Sequence, residues 1–403
     1  MRCLKYILLA CLLYAGMACS KEQVPENVPA QADEYAVDLY WAEDYSGPLG
    51  IHVAEGDAPY MILAEEPFYA AGVNCYELFN LSVSSTMNTA SMEAAVNVLA
   101  KEKVPVVRFS ASLYHASQMH YYFERKEEYF ANLKKLAELC DEAGILLIPS
   151  IFWQIATMPE YYGEEIAAWG DTQSKTYKFM EQYTEEVIGV LKDHKCIAAW
   201  EFGNEFNLAA DIAIAGWPDI PASSIGRALK GFSDIVRRLD THGRMIASGH
   251  AVMRNAQWHL ANEKNWNTDS FSQYVEMTGL MTPSPMQGMS EHIYEDPRQF
   301  SDLGELDRRS QVEMAMKAAR ELRKVFYVGE FRGPSDASAD VVKDHYDTYM
   351  EKGVQLFLVW NYSYTGGTEH SFKHSTIGGN IAFGYTRDAN NKFRKDTNSI
   401  GKG

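Results

Sequence analysis

Basic residues are scarce in this 403-residue chain: 37 Lys and Arg stand against 54 Asp and Glu, a formal net charge of −17. Such a surface repels phosphate backbones, which makes nucleic acid a poor candidate partner. A disulfide framework and a zinc spacing are both lacking. Three of the six cysteines, Cys3, Cys11 and Cys19, crowd the N-terminus, and the other three, Cys75, Cys140 and Cys196, each sit inside an apolar pattern. Those three thiols cannot all pair, and they read as small buried hydrophobes. Gly (28) and Pro (14) stay near average, with no low-complexity tract and no internal repeat, so a largely disordered chain is excluded as well. The apolar leader over 6–14 is too short to span a bilayer.

That leader has a different use. Arg2 and Lys5 precede it and small residues follow, the pattern of a secretory signal. Gly16-Met17-Ala18-Cys19 resembles a bacterial lipobox, which makes 1–18 a lipoprotein signal peptide and Cys19 the lipidated first residue of the mature chain. The rival reading is an ordinary cleaved signal with an incidental cysteine. Residues 19–34 are polar, carry Pro25 and Pro29, and read as a tether to a folded body over 35–403. The expected location is beyond the inner membrane, at the outer membrane or cell surface, with the lipid as the only membrane contact.

In the body, 46% hydrophobic content supports a substantial core. Residues 50–71 suggest one or two short strands with a turn at Gly56-Asp57. Apolar, β-branched runs then alternate with amphipathic stretches, the rhythm of parallel strands joined by helices. Strands are predicted over 72–78, 104–109, 145–152, 196–202, 245–248, 288–292, 325–329 and 354–360. Helical spacing is clear over 127–143, with Gly144 as a stop, and over 175–192, 223–239 (Ser223 as N-cap) and 311–323. The tail after His370 is Gly- and Asn-rich and shows no convincing eighth helix. The expected fold is α/β: a (β/α)8 TIM barrel with a short N-terminal β segment closing its base, a single domain and a monomer.

Active sites of such barrels form where the strands end. Here those ends carry Arg108, Gly203-Asn204-Glu205, His292-Ile293-Tyr294, Gly329-Glu330 and Trp360-Asn361. Two carboxylates on one rim suit cleavage of a glycosidic bond, one protonating the leaving oxygen and the other attacking the anomeric carbon or activating water. An arginine beside a carboxylate keeps it ionised, and a flat indole can stack on a sugar face.

Trp200-Glu201-Phe202-Gly203-Asn204-Glu205 resembles the fourth-strand motif of clan A glycoside hydrolases, family 5 (cellulases and mannanases) in particular. The run from Val325 to Phe331 resembles the seventh-strand motif, Val106-Val107-Arg108 the second-strand arginine, His292-Ile293-Tyr294 the sixth-strand His-x-Tyr, and Gly72-Val73-Asn74 the first-strand opening. The resemblance spans about residue 50 to Asn361. It implies Glu205 as acid/base, Glu330 as nucleophile, Asn204 on the sugar 2-hydroxyl, Arg108, His292 and Tyr294 around the pair, and Trp360 beneath the reacting sugar. It implies retention of configuration, a β-linked polysaccharide or oligosaccharide as substrate (β-mannan or β-glucan), and neither cofactor nor metal. The third strand departs from the family pattern: it ends in Ser150-Ile151-Phe152-Trp153, with no histidine.

Other rim residues are less specific. Glu201 lies inside its strand and reads as a structural ion-pair partner, and Glu77 and Glu291 read as structural. His250 either touches substrate or caps its loop. Trp153 is a candidate sugar contact, whereas Trp169, Trp217 and Trp258 individually read as loop packing. For the mechanism to run, Glu205 should carry the higher pKa of the pair. Alternatives remain: a transglycosylase or exo-glycosidase with the same pair, or a non-catalytic, lipid-anchored glycan-binding barrel.

Overall fold

The computed structural model describes residues 45–213, 218–294, 297–366 and 370–400. The leader, Cys19, the tether and Trp217 lie outside these. The first described strands are three rather than one or two: β1 (His52–Ala54), β2 (Tyr60–Leu63) and β3 (Glu66–Pro67) form a small antiparallel sheet. The alternating runs that follow become β4 (Ala70–Asn74), β5 (Val106–Ser110), β6 (Leu146–Phe152), β7 (Trp200–Gly203), β8 (Ile246–Ala247) and β9 (Gly288–Ile293). After a short hairpin, β10 (Arg298–Phe300) and β11 (Gly304–Leu306), come β12 (Val325–Phe331) and β13 (Leu356–Val359). The eight long-range strands close into a parallel barrel in the order β12-β13-β4-β5-β6-β7-β8-β9. This is the expected (β/α)8 architecture.

The period of two along each strand sorts side chains between two cores. Val106, Leu146, Ile148, Val325, Tyr327, Leu356 and Leu358 point into the barrel, where Ile51, Met61 and Phe68 of the N-terminal segment plug its base. Val107, Phe109, Leu147, Ile151, Trp200, Phe202, Met289 and Ile293 point outward beneath the helices. Cys75, Cys140 and Cys196 are buried free thiols, as expected.

The expected helices appear as Lys126–Ala143, Lys175–Leu191, Ala222–Leu239 and Arg308–Glu321. Gly144 ends the first in left-handed backbone (φ 68°). Two expectations need correction. Ser223 is not the N-cap of its helix; Pro221 holds that position, its φ of −57° already suited to a helix start. The tail does form a helix, Ile377–Ile400. Gly378-Gly379 and Asn390-Asn391 weaken its apolar period, but it buries Ala382, Phe383 and Ala389. The Asn390 amide bonds both the N–H and the carbonyl of Ala71, at 2.9 Å each. An asparagine that looked like loop chemistry thus docks the helix onto β4.

Candidate active site

The inward parity that begins with Val106 on β5 carries Arg108 to the barrel axis, where it is fully buried. A buried guanidinium must have every donor met. Arg108 Nε donates to both Glu201 oxygens (2.8 and 3.0 Å), Nη1 to Glu330 (2.7 Å) and to Asn74 Oδ1 (3.1 Å), and Nη2 to Asn204 Oδ1 (2.9 Å). Tyr327 on β12 donates to Glu201 (2.7 Å). Burial opposes the charge on Arg108, but Glu201 and then Glu330 outweigh it and hold its pKa above the ordinary arginine value. Burial likewise opposes the Glu201 anion, and Arg108 more than offsets it. Glu201 is therefore the ion-pair partner foreseen for it, and one arginine ties β4, β5, β7 and β12 together below the mouth.

Above this layer sit the two candidate catalytic carboxylates. On β12 Val328 pairs with Glu291 of β9, yet Glu330 pairs with His292, so Gly329 is one residue too many. This bulge re-aims Glu330 toward His292. A Cβ on Gly329 would lie 2.6 Å from Ser290 Oγ and 2.8 Å from His292 Nε2, so only glycine lets the two strands approach here. Glu330 accepts from Arg108 and, at 2.7 Å, from the Tyr294 hydroxyl.

Glu205 follows the end of β7 in left-handed backbone (φ 55°, ψ 30°). That conformation costs a non-glycine residue about 1–2 kcal/mol, and such strain clusters at functional sites. The Glu205 N–H bonds the Gly249 carbonyl (2.8 Å), and the carboxylate is hydrogen-bonded to His292 Nδ1 (2.8 Å). His292 Nδ1 also lies 3.5 Å from Glu330. One oxygen of each carboxylate and one nitrogen of His292 all fall within 4.8 Å of one another. Three such donors could face a cation, but Arg108 and Tyr294 already occupy Glu330, so the arrangement is that of a hydrogen-bonded acid pair.

The pKa order differs from the expectation. Burial lifts Glu330 above the usual carboxylate range, helped by repulsion from Glu205 and opposed by His292 and Arg108. Burial acts on Glu205 too, but the His292 hydrogen bond and the charges of His292 and Arg108 bring it below that range. The cause is that His292 leans toward Glu205, while Arg108 divides its charge between Glu330 and Glu201. Two carboxylates this close repel, so the titration of each depends on the charge of the other.

The remaining candidates divide. Asn204 joins the site through Arg108. Trp360 is partly exposed at the end of β13, and the Trp360–Asn361 peptide is cis. Trp153 joins from β6: the Arg108 guanidinium carbon sits 4.8 Å from its ring centre. The Trp153 and Trp360 rings lie 6.1 Å apart, and each is 5.6 Å from Tyr76, all within 29° of parallel. His250 is buried, bonds the Met281 carbonyl through Nε2 (3.0 Å), and is held neutral by burial, its pKa lowered to about 4. Trp169 is core, its indole on the Ile155 carbonyl, and Trp258 bonds Glu276. Glu77 anchors Ser363 and Thr365, and Glu291 points outward to Tyr274. Tyr76 is the residue missed by sequence. Alternation from Gly72 and Asn74 does put it on the inner face, two positions beyond the end of β4.

No protein-family model and no curated protein sequence matches this chain. Solved structures do. An endo-1,4-β-mannanase from Rhizomucor miehei aligns over 85% of this chain and 99% of its own, with a TM-score of 0.61 and 14% identity. A structure described as a glycoside hydrolase family 5 mannosidase from the same fungus aligns over 86% and 99%, at TM-score 0.59 and 13% identity. The β-mannanase of the blue mussel Mytilus edulis aligns over 84% and 96%, at 0.53 and 12%. At these identities the likeness is one of fold: this chain shares the (β/α)8 barrel of these three structures.

Proposed function

We propose that the chain is a retaining β-glycoside hydrolase acting on β-mannosidic bonds, in a mannan or an oligosaccharide derived from one. The observation that carries this reading is the approach of Glu205 and Glu330, with oxygens within 4.8 Å. Carboxyl groups about 5–5.5 Å apart suit double displacement, whereas inversion needs roughly 6.5–9.5 Å to admit a water. A barrel that only bound glycans would gain nothing from holding two carboxylates so close at the cost of desolvating both. The choice of mannose rests on the structural neighbours, two mannanases and a mannosidase.

A Glu330 oxygen attacks the anomeric carbon. The bond to the glycosidic oxygen breaks with its electron pair, and that oxygen takes the proton of Glu205. This step needs Glu205 protonated and Glu330 ionised. The Glu330 anion stabilises the positive charge that develops at the anomeric carbon as the bond breaks. Arg108 and Tyr294 stabilise the same anion as it leaves in the second step. A water then gives a proton to Glu205 and attacks the glycosyl ester, restoring Glu330. Trp360, with Tyr76 and Trp153 beside it, offers the apolar surface a sugar ring stacks on.

The test is to incubate purified protein with β-mannan, glucomannan and β-glucans and to follow the first product by NMR. Mannose-containing products appearing first as the β anomer are expected. Products from β-glucans alone would reassign the substrate, and an α anomer would overturn the double displacement. We further propose that Cys19 is lipidated and anchors the enzyme at the outer membrane or cell surface. Labelled palmitate should enter the wild type and not Cys19→Ala; equal labelling of both would refute the anchor.

A further inference from the structure

The segment that carries Glu205 is strained at both of its ends, and something must hold it. Glu205 (φ 55°) and Asp211 (φ 58°) are both left-handed. Between them lies a single 3-10 turn, Phe206–Ala209. The loop after β8 straps this segment down. Gly249 receives the Glu205 N–H, and Asn207 forms a reciprocal pair with Ala251, its amide donating to the carbonyl (2.9 Å) and its oxygen accepting the N–H (3.0 Å).

Arg254 completes the strap. Its Nη1 donates to the carbonyls of Asn207 (3.2 Å) and Ala210 (3.5 Å), and its Nη2 to that of Leu208. Its other partner is the Gln257 amide oxygen (3.3 Å), and among the described residues no carboxylate forms an ion pair with it. Burial, with Arg298 nearby, lowers its pKa to about 10, which leaves it charged at neutral pH. A cation against the final carbonyls of a helical turn is electrostatically favoured. The strap is anchored on its far side too, where Arg298 donates to the Met253 carbonyl (2.6 Å) and Asn255 to that of Gln299 (2.9 Å).

We propose that Arg254 is a positioning residue for Glu205, holding the 205–211 segment so that the carboxyl meets the leaving-group oxygen. This rests on Glu205 being the acid. The charges acting on Glu205 come from His292 and then Arg108, so Arg254 works through backbone geometry rather than through its own field.

The experiment compares phenyl β-mannoside, whose leaving group needs protonation, with 2,4-dinitrophenyl β-mannoside, whose leaving group does not. Arg254→Met should lose about 10–100-fold in kcat/KM on the first and less than about threefold on the second. Arg254→Lys, which keeps the cation with fewer bonds, should fall between Arg254→Met and wild type, and it serves if Arg254→Met does not fold. Glu205→Ala is run alongside. If Glu205→Ala discriminates between the substrates and both Arg254 variants lose activity equally on the two, the positioning role is overturned. If Glu205→Ala itself loses equally on both, the acid assignment fails first.

Discussion

Replacing Glu201 by Gln removes a charge from the centre of the barrel while keeping the side chain's shape. Glu201 is fully buried, takes two hydrogen bonds from Arg108 Nε (2.8 and 3.0 Å) and one from Tyr327 (2.7 Å), and its Oε1 lies 2.7 Å from Arg108 Nη2. An amide offers one acceptor oxygen and turns a donor toward groups that are themselves donors. Breaking a buried ion pair from one side costs about 3–5 kcal/mol, because the surviving charge stays desolvated. At roughly 1.3 °C for each kcal/mol in a folded body of this size, thermal unfolding should move down by about 4–7 °C. A second effect separates this from ordinary core damage. With Glu201 neutral, the Arg108 charge acts on Glu330 with less competition, so the Glu330 pKa falls and the acid limb of kcat/KM moves to lower pH. Calorimetry and a pH profile of the same preparation read both effects. A melting temperature within about 2 °C of wild type would refute the claim that this ion pair organises the barrel interior.

Two further predictions concern residues around the site. Burial raises Glu291 from 4.5 to about 7, against the Tyr274 hydrogen bond. Its native-state pKa lies above its unfolded value, so its contribution is fully present below pH 4.5 and is lost as pH rises through 7. At 1.36 kcal/mol for each pH unit, the loss is roughly 3 kcal/mol. Urea unfolding between pH 4.5 and pH 8.5 should show Glu291→Gln gaining on wild type as pH rises; a constant difference contradicts this. Gly249 has φ +71°, and a Cβ there would meet the Gly203 carbonyl at 1.9 Å and Glu201 Oε1 at 2.6 Å. Gly249→Ala should therefore cost roughly 2–5 kcal/mol by denaturant titration, and a near-neutral value would show that the β7–β8 junction is looser than described.

How far the sequence could be read follows from where its information is local. Inward and outward positions along a strand alternate, so Arg108 and Glu201 could be assigned to the barrel axis. The same rule separates Glu291, facing Tyr274 under the helices, from His292, its neighbour in the site. The Glu330 assignment came from its motif rather than from alternation, because the Gly329 bulge resets the count on β12. Contacts across the barrel mouth have no such local signal. That His292 would lean toward Glu205, reversing the expected pKa order, depends on two strands far apart in sequence. So does the stacking of Tyr76 on Trp153 and Trp360. The final helix was hidden by Gly378-Gly379 and by asparagines whose role is tertiary, since Asn390 bonds β4 rather than closing a turn.

The central claim, that Glu330 forms a covalent bond to the sugar while Glu205 handles the proton, is tested most directly by trapping. A 2-deoxy-2-fluoro-β-mannosyl fluoride slows both steps by destabilising positive charge at the anomeric carbon, and its good leaving group lets the first step outrun the second. After incubation the protein is digested and the labelled peptide is sequenced by mass spectrometry. The expected result is a single fluoromannosyl ester on Glu330. An ester on Glu205, or consumption of the reagent with no adduct on the protein, would contradict the mechanism.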